Sequence, residues 1–210
     1  MGRPLAFVLG GIGMLGLTVA GLSPAMAGSL EQSTRYFAVR GSTLSELDDS
    51  LSRAGPVIEQ TGRRHPGATS VKFDGEVTYK RVPDGCAVKD ATISLALDIT
   101  LPKWFRPKRV DSRTALIWQT LEKDITRHER RHAEIAISFQ KRMESALRNL
   151  RPERDCAAME RMANTVMSRY LAEHERKQIE FDTIEGREVS MRLAQLATFD
   201  QPLVAFHPRC

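Results

Sequence analysis

The residues from His128 to His132 form the pattern His-Glu-X-X-His, whose side chains can bind and use a zinc ion. On an α-helix, residues four apart lie on the same face, so the imidazoles of His128 and His132 can bind one Zn²⁺. Zinc lowers the pKa of a coordinated water, and the adjacent Glu129 carboxylate can accept the proton that this water releases. The pattern therefore predicts zinc-dependent hydrolysis, with Glu129 as the catalytic base.

The zinc pattern lies on the buried side of a predicted helix. Apolar residues recur around it with alternating steps of three and four, and both histidines belong to the same series: Trp118, Leu121, Ile125, His128, His132, Ile135 and Phe139. This spacing is typical of the core-facing stripe of an amphipathic helix. A buried imidazole needs a partner, because burial of an unpaired polar ring is costly. A metal ion satisfies both rings at once.

The order of predicted elements indicates an α+β fold, in which a small antiparallel sheet packs on a long antiparallel helix hairpin. Strands are predicted at 34–40, 71–79 and 91–101, with a capped helix from 44 to about 54. The strand at 91–101 has the clearest alternation of polar and apolar residues. Gly75 is a candidate bulge in the strand before it.

Two long helices are predicted in the second half of the chain. The first begins after Asp111 and runs to about Asn149, and the second runs from Cys156 to about Met191, with Asp155 as its cap. The short connection between them predicts antiparallel packing. One domain is predicted at 28–192, followed by an irregular tail at 193–210.

A catalytic zinc normally has three protein ligands, so the two histidines need a third. If the turn between the long helices is centred near Pro152, positions 128–132 face positions 172–176, because both helices rise equally per residue. His174 lies in that window and on the apolar stripe of the second helix, and we predict it as the third ligand. The alternatives are Glu173, Glu175 and, further away, Asp182.

The chain has three cysteines, Cys86, Cys156 and Cys210, which permit one disulfide in an oxidising compartment. Cys86 and Cys156 lie inside the predicted fold, whereas the end of a chain is usually loosely held. We therefore predict a disulfide between Cys86 and Cys156, with Cys210 free or available to another chain.

Residues 1–27 have the pattern of a signal peptide. Arg3 precedes an apolar run from Leu5 to about Leu22, and Ala25-Met26-Ala27 gives the small-X-small pattern of a cleavage site. We predict cleavage after Ala27 and a periplasmic or secreted protein. No later segment is apolar enough to predict a membrane span.

Composition argues against a nucleic-acid partner. The formal net charge is +5, from 31 Lys and Arg against 26 Asp and Glu. The basic residues are spread over helices that also carry acidic residues, which is typical of solvated faces rather than of a nucleic-acid surface. The oligomeric state is left open.

Several segments resemble a bacterial family of predicted secreted zinc-dependent proteases, catalogued as a domain of unknown function. They are Tyr36–Gly41, Ile99–Trp104, His128–His132, Asp155–Cys156 and Phe181–Asp182, and they span nearly the whole mature chain. The resemblance implies a secreted zinc protease. The family often carries Thr-X-His-Gly shortly after an aromatic-Asp pair, whereas the corresponding stretch here, Glu185-Gly-Arg-Glu188, has no histidine.

The leading hypothesis is a secreted or periplasmic zinc peptidase that cleaves a peptide or protein substrate. One Zn²⁺ per chain would be bound by His128, His132 and His174, and the strand at 91–101 could hold an extended peptide if its edge is exposed. One alternative is a non-catalytic envelope protein with a structural metal site, which would need a fourth protein ligand. Another is a zinc amidase that acts on the cell wall, because zinc chemistry does not select its amide.

Overall fold

The structure, a computed structural model, describes residues 28–58 and 62–198. The predicted signal peptide and Cys210 lie outside these residues. The elements in chain order are β1 (Leu30–Val39), α1 (Leu44–Ala54), β2 (Val57–Ile58), β3 (Arg63–Arg64), β4 (Ala68–Val82), β5 (Gly85–Trp104), α2 (Ser112–Arg148) and α3 (Cys156–Thr198). The predicted α+β class is confirmed.

β4 and β5 form a long antiparallel hairpin that carries the apolar face of the sheet. The predicted alternation in β5 is confirmed, because every second residue from Ile93 to Leu101 is at most 7% exposed. Both strands extend beyond their predicted ranges. The register shifts between Thr78 and Tyr79 rather than at Gly75, so the predicted bulge position is wrong.

The three-stranded sheet has the order β1-β5-β4. β4 pairs antiparallel with β5, whereas β1 pairs parallel with it, so the predicted small antiparallel sheet is in fact mixed. Because β5 is the central strand, its neighbours occupy both of its edges. Peptide binding along the strand at 91–101 required an exposed edge, and residues 95–100 have a neighbouring strand on each side.

α2 and α3 form the predicted antiparallel hairpin. Asp111 caps α2 by accepting a hydrogen bond from the N–H of Thr114 (2.8 Å), and Asp155 caps α3 in the same way. These side chains bind N–H groups of the first turn, which have no partner within the helix. α3 continues to Thr198, so residues 193–198 of the predicted tail are helical. Residues 199–210 lie outside the described part of the chain.

The core lies between the sheet and the helix hairpin. Its central cluster contains Ala91, Ile93, Phe139, Met143, Leu147, Ala163 and Val166, from β5, α2 and α3. A second cluster joins the rest of the apolar face of β5 to Ile125, Ala133 and Ala136 of α2. The zinc motif lies between Ile125 and Ala133 along α2, so it is placed beside the sheet. None of the described helices is long and apolar enough to cross a membrane.

The predicted disulfide between Cys86 and Cys156 is confirmed, with the two Cα atoms 4.9 Å apart. The bond joins the start of β5 to the first residue of α3. Beside it, the backbone groups of Cys86 and Glu153 exchange two hydrogen bonds of 2.8 and 2.9 Å. The covalent bond and this bridge together fix the turn of the helix hairpin to the sheet.

Removal of this disulfide should destabilise the domain. We expect the Cys86→Ala/Cys156→Ala double variant to lose about 2–5 kcal/mol of unfolding free energy, because the bond closes a long loop in the unfolded chain. Urea denaturation of the mature domain measures this loss, and wild-type protein under reducing conditions should show the same loss. Equal denaturation midpoints for oxidised and reduced wild-type protein would contradict the expectation.

Candidate metal centre

The two histidines of the zinc motif converge with one carboxylate of α3. His128 Nε2 and His132 Nε2 are 3.0 Å apart. Asp182 Oδ1 lies 3.2 Å from His128 Nε2 and 2.8 Å from His132 Nε2. All three donor atoms lie within 4.8 Å of one another, and they form a potential metal-binding group. The four-residue spacing of the histidines thus brings both rings to one point, as predicted.

The register of the helix hairpin explains why Asp182 faces the motif. Gln178 contacts His132 and Asp182 contacts His128, and position 155 is midway between the members of each pair. The predicted midpoint was near Pro152, but residues 149–155 are not helical, and the observed midpoint is at 155. Moving the midpoint by three residues moves the facing positions by six, from 172–176 to 178–182. The structure therefore places Asp182, the most distant alternative, where His174 was predicted.

His174 lies one helical turn before Gln178 and outside the three-donor group. Its Nε2 accepts a hydrogen bond of 2.9 Å from Gln178 Nε2. Its ring packs edge-on against Phe73 and Phe139, with centroid distances of 5.1 and 5.4 Å. Burial and the neighbouring His132 lower the pKa of His174, which favours its neutral form. His174 is thus a partly buried acceptor that holds Gln178.

The two glutamate alternatives also lie outside the three-donor group. Glu173 accepts a hydrogen bond of 2.7 Å from Arg142 and so connects α3 to α2. Glu175 is exposed. Neither carboxylate is part of the metal-binding group found among the described residues.

Gln178 determines which ring nitrogen of His132 faces Asp182. The Gln178 amide nitrogen donates to the backbone oxygen of His132 (3.2 Å), which fixes the orientation of the amide, because a carbonyl oxygen can only accept. The amide oxygen then lies 2.6 Å from His132 Nδ1 and accepts its proton. The hydrogen bond from Nε2 to Asp182 forms when the His132 ring is protonated on both nitrogens. When the ring is neutral, Gln178 keeps the proton on Nδ1, and the lone pair is on Nε2, the nitrogen that faces the candidate metal position.

Phe181 covers the two imidazoles. Its ring stacks on His128 with a centroid distance of 4.9 Å, and it meets His132 edge-on at 5.0 Å. Such contacts restrict the rotamers of both histidines and reduce the access of water to one side of the rings. The aromatic residue next to Asp182 thus has a packing role at the site.

Glu129 is buried beneath the start of β4, with only 5% of its surface exposed. The Thr69 hydroxyl donates a hydrogen bond of 2.7 Å to Glu129 Oε2. A Cβ atom at Gly67 would lie 2.8 Å from Glu129 Oε1 and from Ile125, so a larger residue there would force these side chains to shift. Burial raises the pKa of Glu129, and the Thr69 hydrogen bond and the two histidines oppose this without cancelling it.

The charges of the cluster favour an ionised Asp182. Burial raises the pKa of Asp182, but hydrogen bonds to His128 and His132 outweigh that effect and hold the pKa well below its usual range. Burial lowers the pKa of His132, but its hydrogen bonds to Asp182 and Gln178 outweigh burial and leave the pKa raised. A carboxylate beside two imidazoles is a set of donors that can bind a divalent cation.

A bacterial family model, described as "Bacterial protein of unknown function (DUF922)", matches residues 34–188. The chain belongs to this family. The matched segment contains the zinc motif, both disulfide cysteines and Asp182. Its description assigns no activity, so the protease implied by the resemblance remains a prediction. Searches of curated proteins and of solved structures found no match.

Near the end of the match to DUF922, Glu185 connects α3 to α2, as Glu173 does further along the hairpin. This residue begins the stretch in which the sequence lacks the histidine expected from the resemblance. Glu185 is only 8% exposed, and its carboxylate accepts a hydrogen bond from Arg127, the residue before the motif. Glu185 therefore fixes the register next to the site rather than joining the three-donor group.

The contributions of Thr69 and Gln178 were not predicted from the sequence. Gln178 is four residues before Asp182, and this spacing would have indicated a shared helix face once Asp182 was chosen. Thr69 gave no comparable signal, because its contact with Glu129 depends on how the sheet packs on α2.

If the three-donor group of this DUF922 member binds zinc, Gln178 should tune its affinity for the metal. We expect Gln178→Leu to weaken zinc binding about 10–100-fold, because the His132 Nδ1 proton loses its acceptor, whereas Gln178→Glu should retain or increase affinity. Competition with a chelator of known affinity measures the change. Gln119→Leu, at an exposed position of α2, is the control and should bind like wild type. Equal affinities for the Gln178→Leu and Gln178→Glu variants would refute this positioning role.

Proposed function

We propose that this protein is a periplasmic or secreted zinc-dependent peptidase that uses one Zn²⁺ per chain. The observation that carries the proposal is the convergence of His128 Nε2, His132 Nε2 and Asp182 Oδ1 beside a buried Glu129. The predicted signal peptide supports export, and a disulfide bond fits an oxidising compartment.

The three donors fit zinc in number and in kind. Two imidazoles and one carboxylate are a known ligand set of catalytic zinc, in which a fourth position accepts water or substrate. A structural zinc site would use a fourth protein ligand, and the group found among the described residues has three members. Zinc bound there would supply Lewis acidity toward a carbonyl and toward water.

Glu129 is suited to move the proton in this reaction. It is adjacent to His128 in sequence, and the Thr69 hydroxyl holds its carboxylate in one orientation. Its raised pKa makes it a better proton acceptor than an exposed glutamate. In the proposed reaction Glu129 takes a proton from the attacking water and then gives it to the departing amine.

The ligand assignment predicts different effects for two substitutions on α3. Asp182→Ala should weaken zinc binding more than about 100-fold, which exceeds the usual effect of a residue that only supports a ligand. His174→Phe keeps an aromatic ring between Phe73 and Phe139 and should stay within about tenfold of wild type. Zinc titration against a chelator, with metal analysis of the purified proteins, measures both. Greater loss in the His174 variant would reject Asp182 as the third ligand.

The proposed role of Glu129 predicts a loss of activity without a loss of metal. Glu129→Gln should cut kcat for hydrolysis of an unfolded protein about 10²–10⁴-fold, the usual contribution of a general base, while the zinc content stays at one per chain. Glu134→Gln is the matched control, because Glu134 is exposed on the same helix and pairs with Arg131.

The same experiment separates the peptidase from a structural site. Zinc-loaded wild-type protein that cleaves no polypeptide, but that melts at a lower temperature after zinc removal, would replace the peptidase proposal with a non-catalytic metal site. Cleavage of cell-wall amides in place of polypeptides would favour the amidase alternative.

A further inference from the structure

β4 is an edge strand that starts beside the catalytic candidate Glu129. Among the described strands, only β5 pairs with β4. The Thr69 side chain touches Glu129, and Gly67 packs against it just before the strand. The other edge of the sheet belongs to β1, which lies on the far side of β5 from β4. The free edge of β4 is therefore the sheet edge next to the candidate site.

Hydrogen bonds of β5 show which backbone groups of β4 face this edge. The N–H of Leu95 donates to Ser29 O, just before β1, so the backbone groups of Leu95 point toward β1. The backbone directions of a strand alternate, so Leu97 and Ile99 also point toward β1 and away from β4. Their partners in the antiparallel register, Val71 and Thr69, therefore point away from β5.

The same alternation extends along β4. Phe73 is opposite Leu95, so its N–H and C=O also point to the free edge. Gly75 gives an independent check, because its N–H bonds the Asp74 side chain (3.0 Å) instead of β5. Residues 69, 71 and 73 thus present a row of backbone donors and acceptors.

We propose that an extended stretch of a polypeptide substrate pairs with the free edge of β4 from Thr69 to Phe73. This inference rests on the proposed peptidase function and specifies where its substrate lies. An extended backbone is the partner that matches alternating N–H and C=O groups, and added strands bind sheet edges in this way. Pairing at Thr69 would place the substrate beside Glu129, whose carboxylate the Thr69 hydroxyl contacts.

Two valines on the same edge provide a matched test. Val71 and Val77 are both partly buried on the same face of β4, and both are opposite β5 residues whose backbone groups point away from β4. Six residues separate them, about 20 Å along a strand. Proline at either position removes an outward N–H and leaves the hydrogen bonds with β5 in place.

We expect Val71→Pro to lower kcat/KM for reduced, carboxymethylated α-lactalbumin at least tenfold, chiefly through KM. Val77→Pro should stay within twofold of wild type, and both variants should retain one zinc per chain. Equal kinetic effects of the two prolines would overturn the inference, and melting temperatures control for a difference in folding.

Amide exchange tests the same edge without relying on cleavage. In Glu129→Gln protein, the N–H groups of Thr69, Val71 and Phe73 should exchange quickly when free and at least tenfold more slowly with the unfolded polypeptide added. Protection at these positions in a wild-type protein that cleaves nothing would preserve the edge inference and reject the peptidase proposal. Cleavage by wild type without protection here would reject the edge inference alone.

Discussion

The candidate site depends on the register between α2 and α3, because its donors come from both helices. Four types of contact along the hairpin hold this register. The disulfide fixes the turn to the sheet, the Arg142–Glu173 pair and the Phe139–His174 ring contact lie midway, and Gln178 and Glu185 bind α2 beside the motif. Exposed ion pairs contribute little stability singly, so the buried core between the helices provides most of the constraint, and the disulfide holds the start of α3 against the sheet.

The sequence was sufficient for the features that depend on local spacing. The His-Glu-X-X-His pattern brought two imidazoles to one point, alternation identified β5, and caps identified the starts of both long helices. The third donor depended on the number of non-helical residues in the turn. The predicted midpoint of the turn was three residues too early, so the predicted facing positions on α3 were six residues too early. For this reason His174 was predicted in place of Asp182. The sheet order depended on long-range pairing, and local alternation cannot distinguish a central strand from an edge strand.

The polar residues that support the site were hardest to predict, because each one is a hydrogen-bond partner for a group on another residue that only the folded structure brings close. His132 needs an acceptor for its Nδ1 proton, and α3 supplies Gln178. Gln178 in turn has a second N–H, which His174 accepts. His174, which was predicted as a ligand, thus supports the residue that orients His132, one of the proposed ligands. Partly buried polar side chains need such networks of hydrogen bonds. A sequence shows which polar residues are present, but it does not show which of them pair.

Burial of Glu129 is costly for folding, since the Thr69 hydroxyl is a neutral donor and gives the carboxylate limited compensation. A glutamine or an apolar residue would fill this space at a lower cost. Residue 67 is instead a glycine, and the absence of a side chain there leaves room for the Glu129 carboxylate. Such a local cost fits the proposed role of Glu129 as a catalytic base. The hydrogen bond from Thr69 connects the free edge of β4 to the Glu129 carboxylate, so a displacement of that edge would also move the proposed base.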